Sequence, residues 1–440
     1  MEQYESYKDS GVEWIGKVPK HWGIGRMKYT GKFENGLIYS ANDISDDSGK
    51  LVLRSSNIQS CRLNFTDCIY VHHAPDELMV QKGDIIICSR NGSVNLIGKC
   101  AYIENDMNAT FGAFMLRYRP QIHSKFAFYL FQSVVSYYKG LFSTTTINQL
   151  TKEAIGQMKI PLVPDYEQQA IAAYLDKRCS EIDKAIATQQ KRIALLQELK
   201  QSIITRAVTQ GIHPDVPLKE SGVEWIGKVP EHWEVRRLKS ICQSKKYAIK
   251  TGPFGTQLKG QDLYPEGDIR VYNQRNVIDD NFNECSFYVT HKKASDLKSF
   301  YTQPNDLLIT SRGTIGKCSI LPDNVPMGIL HPCLIAVRID QKICTIEWAK
   351  LFIGESNCFA TNIFLNSNAT TIDVIYTDTL KNVIITIPPV LEQKKIIAYI
   401  DQYIKKLDSI IKKANKRIEY LQELRQSVIT EAITGKIKVC

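Results

Sequence analysis

One decapeptide, SGVEWIGKVP, occurs twice without change in this chain, at Ser10–Pro19 and at Ser221–Pro230. A His-Trp pair follows each copy one residue later, beginning at His21 and at His232. The two copies start at positions 10 and 221 of 440, so the chain consists of two tandem halves of nearly equal length. A duplicated chain whose repeats flank different intervening sequences predicts one function directed at two related but different targets.

A second repeat gives the order of the parts. The segment QELKQSIITRA at Gln197–Ala207 matches QELRQSVITEA at Gln422–Ala432, within longer similar segments that begin at Glu167 and Glu392. Neither long segment contains proline or glycine over 167–210 or 392–434. The chain is therefore organised as module, helix, module, helix.

Apolar residues recur in these segments at a spacing of 3.5 residues, which is typical of a coiled coil rather than of a helix packed on a globular core. The seam positions are Leu175, Ile182, Leu196 and Ile203 with Ile186 and Ile193 in the first segment, and Ile400, Leu407, Leu421 and Val428 with Ile397, Ile404, Ile411 and Ile418 in the second. Two matched helices far apart in sequence pair most simply antiparallel, which predicts a pseudo-twofold, nearly circular α+β molecule. The expected boundaries are 1–164, 165–210, 211–390 and 391–440.

The modules between the helices contain short β-prone runs and polar loops. Examples are DIIIC at Asp84–Cys88 and DLLIT at Asp306–Thr310. Apolar residues three and four apart predict shorter helices at 125–138 and 345–358. Each module is thus expected to be a compact α+β domain.

The formal net charge is +10, which suits a polyanionic partner without requiring one. The 12 cysteines include no CxxC pair, and the histidines lack metal-ligand spacing, so we expect reduced thiols and no bound metal. No stretch approaches 18 consecutive apolar residues, and the N-terminal segment has no apolar signal core. We therefore expect a cytoplasmic protein with no membrane partner.

Catalytic motifs are missing from the sequence. The double proline Pro388-Pro389 lies between Ile387 and Val390, whereas methylation of exocyclic amines uses an Asn/Asp-Pro-Pro-aromatic motif. No nucleotide-binding glycine motif and no Ser-His-Asp set stands out. We expect a chain that is not an enzyme by itself.

The repeated WIGKVP string with its following tryptophan, and a long helix opening at Glu-Gln, resembles the specificity subunit of Type I restriction–modification systems. The resemblance covers essentially the whole chain. It extends to the loop GPFGTQL at Gly252–Leu258, to the IGKC strings at 97–100 and 315–318, and to the TTI strings at 145–147 and 370–372. The first module lacks a clean counterpart of the GPFG loop, and KFENG at Lys32–Gly36 occupies that region.

This resemblance implies that each module is a target recognition domain that reads one half of a split sequence in double-stranded DNA. It implies methyltransferase subunits as partners, two of them, that use S-adenosylmethionine, and restriction endonuclease or translocase subunits that use ATP and magnesium. The chain itself would bind no cofactor. Because the modules differ while the repeats match, the expected target is asymmetric, with a fixed gap.

Arginine can donate two hydrogen bonds to guanine, and asparagine or glutamine can pair with adenine, so loops rich in these residues are candidate base readers. In the first module the DNA-binding candidates are Arg54, Asn57, Ser89, Arg90, Asn91, Thr144, Thr145, Thr146 and Asn148. In the second module they are Lys250, Thr256, Gln257, Lys259, Gln274, Arg275, Asn276, Ser311, Arg312, Asn366, Asn368 and Thr370.

Structural interpretations compete with several of these assignments. Asn57 and Asn276 are also typical turn residues, and Arg90 and Arg312 are equally consistent with surface ion pairs. The threonine strings suit phosphate contacts better than base reading. The tryptophans of the repeat are expected in the cores, where they anchor module to helix.

Other functions remain open from sequence alone. A specificity subunit of a methylation-only system would have the same sequence features. A coiled-coil scaffold whose modules bind proteins is a second alternative, distinguished by the absence of salt-dependent binding to duplex DNA. A self-sufficient methyltransferase is a third, and the missing motif argues against it.

Overall fold

The structure is a computed structural model that describes residues 3–142, 149–245, 247–366 and 374–439. It consists of two compact units. The first comprises Met1–Gln189 with Asn415–Cys440, and the second comprises Gln190–Ala414. Each unit therefore combines one module with a stretch of each long helix. Among the described residues, no helix is both long and apolar enough to cross a membrane.

Two long helices dominate the secondary structure, as the heptad spacing predicts. The first long helix is Asp165–Gln210 and the second is Val390–Ile433. Both begin just after a proline and end at a glycine with positive φ, Gly211 at +78° and Gly435 at +71°. The amides of these glycines donate to the carbonyls of Ala207 and Ala432, so each glycine closes its helix in the left-handed conformation that other residues avoid.

Within each unit the two helix stretches run antiparallel. In the second unit, Lys200 pairs with Asp408, while Thr386, just before the second long helix, donates to the carbonyl of Val208. In the first unit, Arg425 pairs with Asp183, while Gly435 lies against Trp22, which in turn binds Glu167. The pairing follows the sequence prediction, but the helix ends also pack into the module cores.

The other elements of the first unit are short. Its shorter α-helices are Ser124–Phe142 and Lys152–Gln157. Its strands are Tyr7–Asp9, Lys17–Pro19, Gly23–Arg26, Gly31–Asn35, Ile44–Ser45, Lys50–Leu53, Ile58–Gln59, Arg62–Leu63, Tyr70–Val71, Ile85–Cys88, Cys100–Tyr102, Ala109–Phe111, Met115–Pro120 and Lys159–Leu162.

The second unit repeats this pattern. Its strands are Leu218–Glu220, Lys228–Pro230, Glu234–Arg237, Ile249–Thr251, Ile269–Tyr272, Tyr288–Val289, Leu307–Thr310, Cys318–Ile320, Ile329–Leu330, Leu334–Val337 and Ile384–Ile387. Its shorter α-helices are Gln274–Ile278, His291–Asp296, Ile346–Lys350, Asn357–Asn366 and Thr377–Lys381.

The two predicted shorter helices have different outcomes. The helix expected at 125–138 is present as Ser124–Phe142. The one expected at 345–358 is wrong in its continuity, because an α-helix over Ile346–Lys350 passes into a π-helical turn over Leu351–Glu355 and stops at Ser356. The Ser356 hydroxyl donates to the carbonyl of Phe352, and a new helix starts at Asn357.

A four-stranded antiparallel sheet with the same strand order forms the centre of each unit. In the first unit the order is Cys100–Tyr102, Ile85–Cys88, Met115–Pro120 and Gly31–Asn35. In the second it is Cys318–Ile320, Leu307–Thr310, Leu334–Val337 and Ile249–Thr251.

Both faces of these sheets are buried. Ile85 and Ile87 pack in one apolar cluster and Ile86 and Cys88 in another, because successive strand side chains point to opposite faces. This explains why the DIIIC run is continuously apolar instead of alternating.

Candidate nucleic-acid interface

The repeated His-Trp pair fixes the start of each long helix. In the first unit, Trp22 Nε1 donates to Glu167 Oε2 over 3.1 Å, and His21 Nε2 lies 2.5 Å from Glu167 Oε1. In the second unit, Trp233 Nε1 donates to Glu392 over 3.1 Å, and His232 Nε2 lies 2.7 Å from the same carboxylate. Trp14, Trp22 and Trp233 are buried, which confirms their expected core role, and Trp225 is partly buried against its core.

The first unit adds a third donor to its carboxylate. The Tyr4 hydroxyl donates to Glu167 Oε2 over 2.6 Å. Burial disfavours the charge on Glu167, yet the hydrogen bonds from Tyr4, His21 and Trp22 together hold its pKa below the ordinary value.

The glutamine after each of these glutamates ties the helix to its module. Gln168 Nε2 donates to the carbonyl of Val163 over 2.8 Å, and its Oε1 accepts from the amide of His123 over 3.0 Å. Gln393 donates to the carbonyls of Ile343 and Pro388 and accepts from the amide of Thr345 over 2.8 Å. The Glu-Gln string therefore serves as a joint between helix and module.

A buried aspartate opens the central strand that leads to each serine–arginine string. Arg119 donates to both oxygens of Asp84 over 2.7 Å, and Arg338 donates to both oxygens of Asp306 over 2.9 and 3.3 Å. Burial raises the pKa of Asp306, against the opposing effect of Arg338. These pairs explain the aspartates of the DIIIC and DLLIT runs, and the sequence gives no local sign of their arginine partners.

Asn57 and Asn276 are structural, so the base-reading assignment of both residues is wrong. Asn57 is fully buried, and its Nδ2 donates to the carbonyls of Asn64 and Asp67 over 3.0 and 2.8 Å. Asn276 is 6% exposed and donates to Asn281 and Glu284 in the same way. Each side chain oxygen also accepts the amide three residues earlier, so no polar atom is left to reach a base.

Ser89 and Ser311 are also enclosed, at 3% and 2% exposure, which corrects their assignment as contact residues. Their main chains hold the rim together instead. Ser89 donates its amide to the carbonyl of Phe114 and accepts from the amide of Leu150, and Ser311 does the same with Cys333 and Ile375.

The arginines that follow these serines are exposed in both units. Arg90 forms a backbone bridge with Gln149, and Arg312 forms the equivalent bridge with Val374. The Arg90 guanidinium lies 5.6 Å from the ring centroid of Phe114. Neither arginine forms an ion pair with any residue that the structure describes.

Other candidates lie close to these arginines. Asn91 donates to the Ser55 hydroxyl over 3.2 Å and accepts from the amide of Ser93, so it links two loops while remaining partly exposed. Gln274 donates to the carbonyl of Arg312 in the second unit. The structure thus joins the 54–57 loop to the 90–93 loop, and the 274–276 turn to the 312–314 loop.

The remaining charged candidates differ in availability. Arg54 is paired with Asp67 over 2.9 Å, and Arg275, 82% exposed, is paired with Asp279 over 3.2 Å. Lys250 is held by the carbonyl of Ser299 over 2.5 Å and by the rings of Tyr247 and Phe300, and burial lowers its pKa. These contacts engage the partly exposed Lys250 ammonium within its own unit, and its assignment to DNA contact remains a prediction.

Thr256, Gln257 and Lys259 are exposed on the GPFG loop. Thr144, Thr145, Thr146, Asn148, Asn368 and Thr370 lie outside the described residues. Asn366 ends the helix Asn357–Asn366, and only its backbone is described. Assignment of these residues to DNA contact remains a prediction.

The first unit does contain a structural counterpart of the GPFG loop. Gly36 directly follows the edge strand Gly31–Asn35, and a Cβ there would lie 2.1 Å from the carbonyl oxygen of Gly112. Gly252 directly follows the matching strand Ile249–Thr251, and a Cβ there would lie 2.1 Å from the carbonyl oxygen of His331. Both glycines permit the same close approach of two loops, which the surrounding sequences do not reveal.

These loops also carry residues that sequence reasoning missed. Ile38 and Phe254 each lie two residues after the glycine and are 86% and 70% exposed, and Phe114 on the neighbouring loop is 61% exposed. The exposure of these apolar side chains is what marks them in the structure, and exposure cannot be read from a sequence. We call the surface formed by residues 36–40, 54–57, 90–93 and 112–114, and its counterpart 252–259, 274–276, 312–314 and 331–333, the rim of each unit.

Comparison with known proteins gives these two rims a context. The sequence profile of the Type I restriction modification DNA specificity domain matches residues 19–197 and again 230–420. The chain belongs to this family. Both matches contain one complete rim, so the family's DNA specificity domain is present twice.

Two curated relatives show the same extent of similarity. The specificity subunit of the Type I restriction enzyme EcoKI from Escherichia coli strain K12 is 25% identical over 446 residues, covering 96% of this chain and 90% of the relative. The putative MjaX specificity subunit from Methanocaldococcus jannaschii is 24% identical over 437 residues, covering 97% and 96%. The chain is therefore similar to specificity subunits over essentially its full length.

A solved structure from work on the complex assembly and conformational transition of the type I R-M system shares the fold. Its TM-score is 0.67 at 17% identity, with 96% of this chain and 99% of that chain covered. The expected α+β architecture of paired modules and long helices is confirmed at this level.

Proposed function

We propose that this chain is the DNA-reading subunit of a Type I restriction–modification complex, in which each module reads one half of an asymmetric, split target. The observation that carries the proposal is a contrast within each unit between the internal contacts, which we call the frame, and the rim. The two units repeat the same internal contacts around Glu167 and Glu392, whereas their rims present different side chains. Two readers of equal build and different chemistry suit a target with two unlike half-sites.

Exposed Arg90 and Arg312 are the strongest base-reading candidates. A guanidinium can donate two hydrogen bonds to O6 and N7 of guanine in the major groove. The loops around them are fixed by main-chain hydrogen bonds through Ser89 and Ser311, so ordering these arginines on binding requires little further loss of backbone freedom. Partly exposed Asn91 and Gln274 extend the same rims.

The chemistry of modification and cleavage belongs to partner subunits in this proposal. Methyltransferase subunits, two of them, bind S-adenosylmethionine and flip the target adenine out of the duplex. Endonuclease or translocase subunits use ATP and magnesium. This chain supplies no catalytic groups and binds no cofactor, and it determines which DNA sequence the complex engages.

An exchange of one module tests the proposal. Residues 212–390 are replaced with the same segment of a relative that has a different target, and the methylated sites of the host genome are sequenced with the original and the exchanged chain. We expect one half-site to change while the other half-site is retained. Loss of both half-sites in an exchanged protein that still assembles would contradict two independent readers.

A further inference from the structure

Both rims present a large apolar side chain to solvent at a matched place. Ile38 is 86% exposed and Phe254 is 70% exposed, and neither belongs to the apolar clusters within the described part of the chain. Exposed apolar area of this size is unfavourable in water. A side chain kept at such a position in both halves is therefore a candidate for contact with a ligand.

The backbone that carries these side chains is fixed. In the first unit the amides of Gly36 and Leu37 donate to the carbonyls of Met115 and Phe111 over 3.2 and 2.7 Å. In the second unit the amide of Gly252 donates to Leu334 over 2.9 Å, and the amide of Phe254 donates to the side chain of Gln257 over 3.1 Å. Each apolar group is therefore held in place before any ligand binds, which reduces the entropy lost on binding.

One intervening loop connects each apolar side chain to the exposed arginine of its unit. In the first unit this loop is 112–114, where Gly112 lies against Gly36 and the carbonyl of Phe114 accepts the amide of Arg90 over 3.2 Å. In the second unit it is 331–333, where His331 lies against Gly252 and the carbonyl of Cys333 accepts the amide of Ser311 over 2.9 Å. The loop that carries the apolar group and the loop that carries the arginine are thus joined through one intervening loop in each unit.

We propose that Ile38 and Phe254 enter a groove of the bound duplex and pack against base edges, each as the apolar anchor of its module's half-site. This inference rests on the proposed function, in which the modules read duplex DNA. Apolar side chains contact the thymine methyl group, and they exclude water from neighbouring hydrogen bonds, which strengthens the contacts made by Arg90 and Arg312. The exposed arginine of the same rim, and the net charge of +10, favour a polyanion over an apolar protein partner.

The test uses the full chain assembled with its methyltransferase subunits, and measures DNA affinity by fluorescence anisotropy over a range of salt concentrations. The probes are a duplex with the target found by methylome sequencing and two duplexes in which one half-site is scrambled. We expect Phe254→Ala to weaken target binding about tenfold and to abolish most discrimination at the second module's half-site. Ile38→Ala is expected to do the same at the other half-site. The salt dependence stays unchanged, because no phosphate contact is lost.

Conservative and matched variants separate contact from general disruption. Phe254→Leu and Ile38→Leu keep apolar volume and are expected to restore most of the affinity. Tyr29→Ala, 70% exposed at the opposite end of the strand Gly31–Asn35, and Met327→Ala, 56% exposed beyond the far end of Ile329–Leu330, are expected to bind like the original protein.

Two results would overturn the inference while leaving the proposed function intact. One is unchanged target affinity in both alanine variants of a protein that discriminates intact from scrambled duplexes. The other is a decrease of about one in the slope of the logarithm of the binding constant against the logarithm of the salt concentration for Phe254→Ala. Such a decrease indicates a lost phosphate contact. If the unaltered complex binds intact and scrambled duplexes equally, the proposed function itself fails.

Discussion

The first and second units match most closely where their side chains face inward and differ most where they face solvent. Asn57 and Asn276 make the same three hydrogen bonds, and Asp84 and Asp306 bind an arginine in the same way. On the rims, Phe114 is replaced by Cys333 as the acceptor of the serine amide. Internal contacts restrict substitution by geometry, whereas the exposed side chains of the rims are free of that restriction.

Even the shared frame is not identical in strength. Glu167 is 1% exposed and accepts hydrogen bonds from Tyr4, His21 and Trp22. Glu392 is 25% exposed, and His232 and Trp233 are the equivalents of two of those donors. The same motif is therefore expected to stabilise the first unit more than the second.

The largest expected effect tests that difference. Glu167→Ala removes the acceptor shared by the buried Trp22 indole, Tyr4 and His21, and is expected to destabilise the first unit by about 3 kcal/mol, whereas Glu392→Ala costs the second unit about 1.5 kcal/mol. Hydrogen-exchange mass spectrometry reads the two units separately, through amides of the central strands Ile85–Cys88 and Leu307–Thr310. Equal losses in the two units would show that the difference in burial has no energetic consequence.

Asn57→Ala and Asn276→Ala are expected to destabilise their own units by about 2 kcal/mol each, because each variant removes a buried side chain that makes three hydrogen bonds. Both effects should be similar, since the two side chains make matching contacts. The folded fraction of each variant should retain the sequence preference of the original protein in DNA binding. A changed preference at constant stability would restore the base-reading interpretation of these asparagines.

Arg90→Ala and Arg312→Ala should behave in the opposite way. Each is expected to weaken binding to the target duplex about tenfold at its own half-site, with unfolding unchanged, because the side chains are exposed. Anisotropy titrations with duplexes scrambled in either half-site measure this, and Arg192→Ala, exposed on the first long helix outside both rims, is the control. Loss of affinity for both half-sites from one variant would contradict the assignment of one reader to each module.

A smaller contrast concerns the ion pairs between helix stretches. Lys200 and Arg425 occupy equivalent repeat positions, as do Asp183 and Asp408. Double-mutant cycles with alanine should give a coupling of about 1 kcal/mol for Arg425 with Asp183, and about 0.3 kcal/mol for the more exposed pair of Lys200 with Asp408. A larger coupling for the lysine pair would contradict burial as the deciding factor.

The smallest expected effect is a dependence of the first unit's stability on pH in the acidic range. Because the folded-state pKa of Glu167 is lowered, its ionised form stabilises the first unit above the ordinary value of 4.5, and this contribution is lost as pH falls through the folded value. The difference in unfolding free energy between the original protein and Glu167→Gln should therefore shrink on acidification below that range. A difference that stays constant to about pH 3 would contradict the lowered pKa.

Periodicity and repetition predicted much of the fold. The heptad spacing and the absence of proline and glycine predicted both long helices, since helix formation depends mainly on local spacing and propensity. The break at Ser356 was missed because the apolar spacing continues through the π-helical turn, and only tertiary packing decides where such a turn occurs.

The sequence predicted which loops form the candidate site better than it predicted which of their residues face outward. Residue type identified the loops around Arg90 and Arg312, but it also selected Asn57, Ser89, Asn276 and Ser311, which are buried. An asparagine that caps a turn and an asparagine that reads a base have the same chemistry. Which of the two roles it takes depends on the carbonyls placed around it by residues far along the chain.

The sequence by itself determined that this protein is built of two equal halves, each a module followed by a long helix, and that the halves differ in their loops. Only the tertiary structure decided which residues form the frame and which face outward. It showed that Gly36 and Gly252 allow the same close approach of loops, and that Ile38 and Phe254 emerge beside them. Repeats and periods are properties of neighbouring residues, whereas exposure arises from contacts between distant ones.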